Sequence, residues 1–222
     1  MNKFASALKK ILKNYHSVEI DRGVDMLCLG CSVDDLLSVF DCLYHHDQVQ
    51  ATMLLDICVV DLLHYGCDEW VGNKATSTGF ERARNCMGVD QSEQMNEKRF
   101  IVTYHVMSFY HNQRFRLKVL LDDIEILVPS VTSIWPNANW YEREAFDLFG
   151  VRFSGHPGLR RILTDYGFVG YPMRKDFPLQ GKVEMRYDAA LEQCVYSPVE
   201  MENRVSVPKV IRRDDDRYMI EG

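Results

Sequence analysis

Residues Arg99 to Leu121 read RFIVTYHVMSFYHNQRFRLKVLL. Two runs alternate with period two. Phe100, Val102, Tyr104, Val106, Ser108 and Tyr110 share one face of the first, and Phe115, Leu117, Val119 and Leu121 share one face of the second. His111-Asn112 lies between them as a turn, so the stretch predicts an antiparallel hairpin with one buried face. Before it in the chain, Leu54 to Val60 reads as a buried strand and Val24 to Leu29 as a short one. Ser32 is placed to cap a helix running through His45, with Leu36, Leu37, Phe40, Leu43 and Tyr44 at helical spacing. Ile124 to Val128 adds a short extended piece, and Pro129 and Pro136 bracket one helical turn carrying Ile134 and Trp135. The expected class is α+β: a small mixed or antiparallel sheet packed with a few helices, followed by a long extended C-terminal tail.

The chain has 222 residues and a net charge of −6. That balance opposes a general nucleic-acid partner, because phosphate binding needs a basic face. No stretch reaches the ~18–20 apolar residues of a membrane span. Seven cysteines, several inside apolar runs such as Leu27-Cys28-Leu29 and Ile57-Cys58-Val59, behave as small buried hydrophobes of a reducing compartment. Met1 to Tyr15 has Phe4, Leu8, Ile11, Leu12 and Tyr15 on one side and lysines elsewhere. With no arginine before Arg22 it reads as a docking helix rather than a transit peptide.

Ala138 to Leu179 holds the densest chemistry: ANWYEREAFDLFGVRFSGHPGLRRILTDYGFVGYPMRKDFPL. Asn139 and Glu142 have capping-box spacing at a helix start, and Gly150 supplies a left-handed stop. Glu142, Glu144 and Asp147 flank Arg143, and Arg143 can pair with Asp147 at i, i+4. A carboxylate beside arginine is held ionised and makes a poor proton donor, so an ion network is preferred to acid–base catalysis. His156 sits between Gly155 and Pro157 in a turn with no local carboxylate to orient it, which favours a structural or interface role. Arg152, Arg160, Arg161, Arg174, Lys175, Lys182 and Arg186 make the region locally basic and suited to an acidic partner. Charges interleaved with large aromatics suit a surface buried against another protein. No glycine-rich nucleotide loop occurs in the sequence, so NADH or ATP binding is not supported.

This stretch resembles the 30-kDa subunit of respiratory complex I, the proton-pumping NADH:ubiquinone oxidoreductase. The resemblance rests on Glu142-Arg143-Glu144, Asp147-Leu148-Phe149-Gly150-Val151, Phe153, Gly155-His156-Pro157 and Leu159-Arg160-Arg161-Ile162-Leu163. It continues through Tyr171-Pro172-Met173-Arg174-Lys175-Asp176-Phe177-Pro178-Leu179. It implies a non-catalytic scaffold subunit of the peripheral, quinone-module arm, an enzyme only as part of its complex and needed for assembly and electron transfer. It implies no cofactor or metal on this chain, with NADH, FMN, iron–sulphur clusters and ubiquinone on neighbouring subunits. The implied partners are other peripheral-arm subunits, especially the 49-kDa subunit and its iron–sulphur neighbours. The implied interface set is Glu142, Arg143, Glu144, Asp147, Gly150, Gly155, His156, Pro157, Arg160, Arg161, Arg174, Lys175 and Asp176. Cysteine usage and the insert at 66–98 favour the matrix side of the mitochondrial inner membrane, the alternative being the cytoplasmic face of a bacterial plasma membrane.

The expected organisation is a docking helix at 1–23, a core at 24–150 with the polar insert at 66–98, the signature segment at 151–182 and a partner-binding tail at 183–222. Two other readings stand beside it. Cys28-Leu29-Gly30-Cys31 is a C-x-x-C that, with Cys42, His45 and His46, would make a thiol- or zinc-dependent redox module. The homologous subunit of a related hydrogenase or plastid-type complex is the other, over which the full signature and the Arg174-Lys175-Asp176-Phe177-Pro178 block favour the respiratory enzyme.

Overall fold

The computed structural model describes residues 2–15, 17–22, 26–63, 98–178 and 181–199. All but the last residue of the 66–98 insert, and the tail beyond Val199, lie outside these. The chain divides into two compact units, Met1–Leu63 with Met95–Phe177, and His64–Gln94 with Pro178–Gly222.

The first unit is built on a five-stranded mixed sheet. Its strands are β1 (Glu19–Arg22), β2 (Leu27–Cys31), β3 (Met53–Asp61), β4 (Lys98–Ser108) and β5 (Gln113–Asp122), in spatial order β1-β2-β5-β4-β3. The hairpin expected from Arg99–Leu121 is β4–β5, with Val102 opposite Val119 and Tyr104 opposite Leu117. Its inward residues are buried from Phe100 through Ser108 and from Phe115 through Leu121. Tyr110 falls outside the ladder, in the turn, and is exposed. β2 pairs with β5 in parallel, Leu27 opposite Phe115, and this pairing makes the sheet mixed.

Helices cover the buried face. In α1 (Asn2–Ile11) Phe4, Ala5 and Leu8 are buried, and Leu12 follows them. The Phe4 ring lies 5.9 Å from Phe115. The helix read as a docking element therefore has its apolar face on this chain's own sheet. Residues 19–22, assigned to the same N-terminal element, form edge strand β1. Helix α2 (Leu36–His45) buries Leu36, Val39, Phe40 and Leu43. It starts later than Ser32, whose Oγ accepts the N–H of Asp35 at 3.4 Å in the preceding turn. Phe40 meets Tyr104 and Trp135 edge-on at 5.0 and 5.1 Å, a favoured aromatic geometry.

Two bonds fix the segment after β5 to β3. Trp135 Nε1 donates to the carbonyl of Thr52 at 3.2 Å, and Asn137 Nδ2 to that of Leu54 at 2.8 Å. Helix α3 (Ala138–Phe149) then links two short parallel strands, β6 (Leu127–Pro129) and β7 (Arg152–Ser154). On the other face of the five-stranded sheet Arg114, Arg116, Lys118 and Leu120 of β5 and Ile101, His105 and Met107 of β4 are half-buried or exposed.

In the second unit, where an extended tail was expected, β8 (Val183–Asp188) and β9 (Gln193–Pro198) pair as a hairpin. Val183, Met185 and Tyr187 stand opposite Pro198, Tyr196 and Cys194 on one face. Val183, Met185, Tyr187 and Tyr196 are all more than half exposed.

Candidate functional site

The signature region is organised around one carboxylate. Asp147, on the last turns of α3, is fully buried. Its Oδ2 accepts three consecutive backbone N–H groups, from Ile162 at 3.0 Å, Leu163 at 2.7 Å and Thr164 at 2.9 Å. Its Oδ1 accepts Arg161 Nη1 at 2.8 Å and the Thr164 hydroxyl. Successive N–H groups converging on an anion form a nest. Burial pushes this carboxyl up, but the Thr164 hydroxyl and the three N–H donors outweigh it and hold Asp147 well below the usual carboxylate range. The irregular Leu159–Thr164 stretch is thus tied to a helix through a single side chain.

The arginines extend the tie. Arg161 also donates to the carbonyl of Gly170 at 3.0 Å. Arg143 donates to the carbonyls of Arg160 and Arg161 at 3.2 and 3.3 Å and stacks over Trp140. The expected Arg143–Asp147 pair is replaced: Asp147 takes Arg161, while Arg143 satisfies loop carbonyls. Arg174 Nε donates to the Phe149 carbonyl at 2.6 Å, and its guanidinium lies 4.4 Å from the Tyr171 ring centre. Gly150 permits this approach. It has φ 78°, and an added Cβ would sit 2.5 Å from Arg174 Nη2.

The Arg174-Lys175-Asp176 block is clipped to the sheet. Arg99, at the start of β4, bonds both oxygens of Asp61 at 2.9 Å and lies 3.2 Å from Asp176. The N–H of Lys175 donates to Asp61 at 2.9 Å, while its side chain is exposed. Burial pushes Asp61 up, but the Arg99 bond and the N–H groups of Lys175 and Leu63 bring it below its usual value.

Glu142 differs from the capping role expected of it. The residue flanking α3 is Asn137, and no side chain caps the helix. Glu142 is fully buried, accepts the Ser130 hydroxyl at 2.6 Å and the Val131 N–H at 2.7 Å, and so joins α3 to the end of β6. Burial pushes its carboxyl up to about 7, against the opposing pull of those two donors. His156 is in the turn expected for it. Its Nδ1 accepts the Gly158 N–H at 3.0 Å, so Nε2 carries the proton that faces the Asn139 carbonyl at 3.3 Å. Gly155, Pro157, Arg160 and Glu144 are exposed. So are Trp140, Leu163, Tyr166, Val169 and Met173, with Tyr166 98% and Val169 80% exposed.

The C-x-x-C lies in β2. Alternation along a strand sends residues three apart to opposite faces. Cys31 is buried with Leu27 and Leu29, whereas the Cys28 Sγ, on the other face, accepts Arg116 Nε at 3.0 Å. Burial pushes the Cys31 thiol up to about 11. The two sulfurs cannot share a metal or a disulfide while β2 is paired. His45 and His46 are engaged locally, with Asp41 and with the Gln48 N–H. Of the signature network, the Asp147–Arg161 and Asp61–Arg99–Asp176 pairings escaped the sequence reading because their partners are distant in the chain.

Comparison with known proteins agrees with the signature. The family described as respiratory-chain NADH dehydrogenase, 30 Kd subunit, matches residues 29–183. A subunit of the NADH-quinone oxidoreductase of Coxiella burnetii is 51% identical over 196 residues, covering 88% of this chain and 86% of its own. The corresponding subunit from Legionella pneumophila is 46% identical over 208 residues, covering 92% and 89%. Among solved structures, a chain of the membrane-bound sulfane sulfur reductase, an archaeal respiratory membrane complex, shares the fold. Its TM-score is 0.56 at 22% identity, over 80% of this chain and 86% of that one.

Proposed function

This chain belongs to the 30-kDa subunit family of respiratory-chain NADH dehydrogenase, and on that premise we propose that it is a non-catalytic scaffold subunit of the complex's peripheral arm. Membership makes it part of an oxidoreductase complex; the scaffold role is our reading. The observation that carries it is how the signature charges are used. Arg143, Asp147, Arg161 and Arg174 are consumed in bonds within the chain. They freeze a segment without regular structure, and Trp140, Leu163, Tyr166, Val169 and Met173 are left pointing outward. Rigid, exposed aromatic and aliphatic tips are what a protein interface uses as anchors. In this reading the arginines shape the interface and the apolar tips touch the partner.

The partners are other peripheral-arm subunits, the 49-kDa subunit first among them, and NADH, FMN, iron–sulphur clusters and ubiquinone sit on neighbours. The exposed apolar face of the β8–β9 hairpin suits a second contact, since a lone two-stranded hairpin is marginal in water. The two relatives from Coxiella and Legionella are bacterial, which favours the cytoplasmic face of a bacterial plasma membrane over the mitochondrial matrix. Among the described residues no helix is long and apolar enough to cross a membrane.

The test is to place Val169→Asp and Tyr166→Ala in the complex. The expected result is less assembled complex with near-normal NADH:quinone turnover per intact complex. Full assembly with turnover abolished would put the segment in the chemistry and end the scaffold reading.

A further inference from the structure

β5 points Arg114, Arg116 and Lys118 to the same side of the sheet, the side opposite the buried core. Residues two apart on a strand are ~7 Å apart, so the three cations form a straight stripe. Across the ladder they face Met107, His105 and Thr103 of β4. Among the described residues none of the three has a carboxylate within ion-pair distance. The bond Arg116 does make goes to the Cys28 thiol. Glu19 and Asp21 stand two strands away, beyond Gly30 and Cys28.

Three adjacent cations with no ion pair among the described residues stand out on a chain of net charge −6. Arg116 and Lys118 are also half-buried, so they are partly desolvated without a directly paired carboxylate. We infer that this stripe is a second docking surface, and that its occupant is an acidic segment of another subunit lying along β5 with carboxylates about 7 Å apart. The inference rests on the scaffold reading but uses a surface with no signature residue in it. Glu19, Asp21 and Asp56 border the stripe on both sides. A uniformly anionic lipid surface would be repelled by that border, whereas a protein segment can match it.

Zero-length carbodiimide cross-linking of the native complex joins a lysine amine only to a carboxylate it touches. Lys118 should be recovered linked to an Asp- or Glu-containing peptide of another subunit. Recovery of Lys118 unlinked, or linked only within this chain, overturns the inference. In parallel, complexes carrying Arg114→Glu with Lys118→Glu should lose this chain at roughly half the salt concentration that strips the wild type. Arg114→Gln with Lys118→Gln should fall between, and helps separate loss of contact from misfolding. A salt profile equal to wild type in both variants overturns the proposal. So does binding of the purified chain to phosphatidylglycerol vesicles that the charge reversal abolishes. If the wild-type chain is absent from the intact complex, it is the scaffold reading that fails.

Discussion

The guanidinium of Arg161 donates to the carboxylate of Asp147 at 2.8 Å, and the same carboxylate receives the backbone N–H groups of the three residues after Arg161. One side chain therefore specifies the path of a whole loop. Asp147→Ala should strand Arg161 and leave three N–H groups without an acceptor, at a cost of ~3–5 kcal/mol in unfolding free energy. Arg161→Ala should cost a similar amount, and the double variant less than the sum. Arg160→Ala, whose side chain is exposed, should leave stability nearly unchanged. Denaturant unfolding of the isolated chain checks all four; equal effects at positions 160 and 161 would count against the network.

The Glu142 carboxyl should make stability fall as pH rises toward neutrality. Its ordinary value of 4.5 is raised to about 7 in the folded chain. Between those values the unfolded chain has lost the proton and the folded chain still holds it, so the unfolded state binds fewer protons and folding weakens with rising pH. The change amounts to roughly 3 kcal/mol from pH 4.5 to pH 7, and levels off above. Glu142→Gln keeps the shape and removes the titration, so its stability curve should be flatter over that window. Asp147 acts in the opposite sense: its lowered value contributes stability present above the ordinary carboxylate range and lost on acidification below it. Unfolding midpoints taken from pH 8 down through the acid side of the ordinary carboxylate range separate the two, Glu142 acting near neutrality and Asp147 only in acid.

Gly150→Ala should destabilise the chain by ~1–3 kcal/mol, since the left-handed φ disfavours a Cβ and Arg174 occupies the space it would need. Gly155→Ala meets nothing within 4 Å and carries only the cost of φ 80°. Comparing the two melting temperatures isolates the steric part. Matching values would mean that Arg174 yields freely.

Mild oxidation should not join Cys28 to Cys31. The two thiols lie on opposite faces of β2, and Cys31 is both buried and shifted up to about 11. Peptide mapping after treatment with a thiol oxidant should find Cys28 modified well before Cys31. An intramolecular Cys28–Cys31 disulfide in folded chain would contradict the strand geometry.

Much of the sheet could be read from period two alone. β4 and β5 were visible because each has one apolar face, β3 as an apolar run without that alternation, and α3 because Gly150 ends it. The β8–β9 hairpin carried the same signal at Val183, Met185 and Tyr187 but lay in a region too poor in apolar residues to suggest a core. The amphipathic start of the chain announced a buried face without announcing its cover, which proved to be Phe115 and its neighbours. At the site, local spacing misled. Glu142 had the position of a cap and Arg143 that of a partner for Asp147, yet both chose groups distant in sequence. Spacing rules see one helix at a time, and buried carboxylates answer to whatever donors the tertiary fold brings.

The parallel pairing of β2 with β5 has a consequence for how the chain is made. Leu27 waits for Phe115, so on a ribosome the N-terminal strand emerges long before its neighbour exists. Loop closure over that span is slow, and the unpaired edge of β2 is open to wrong partners in the meantime. The Asp61–Arg99 clip that receives Lys175 cannot form until β4 is in place. The contact that fixes Lys175 to the sheet therefore depends on β3 and β4 already lying side by side. A nascent chain halted before β5 lacks the one strand that joins the β1–β2 pair to the β3–β4 pair.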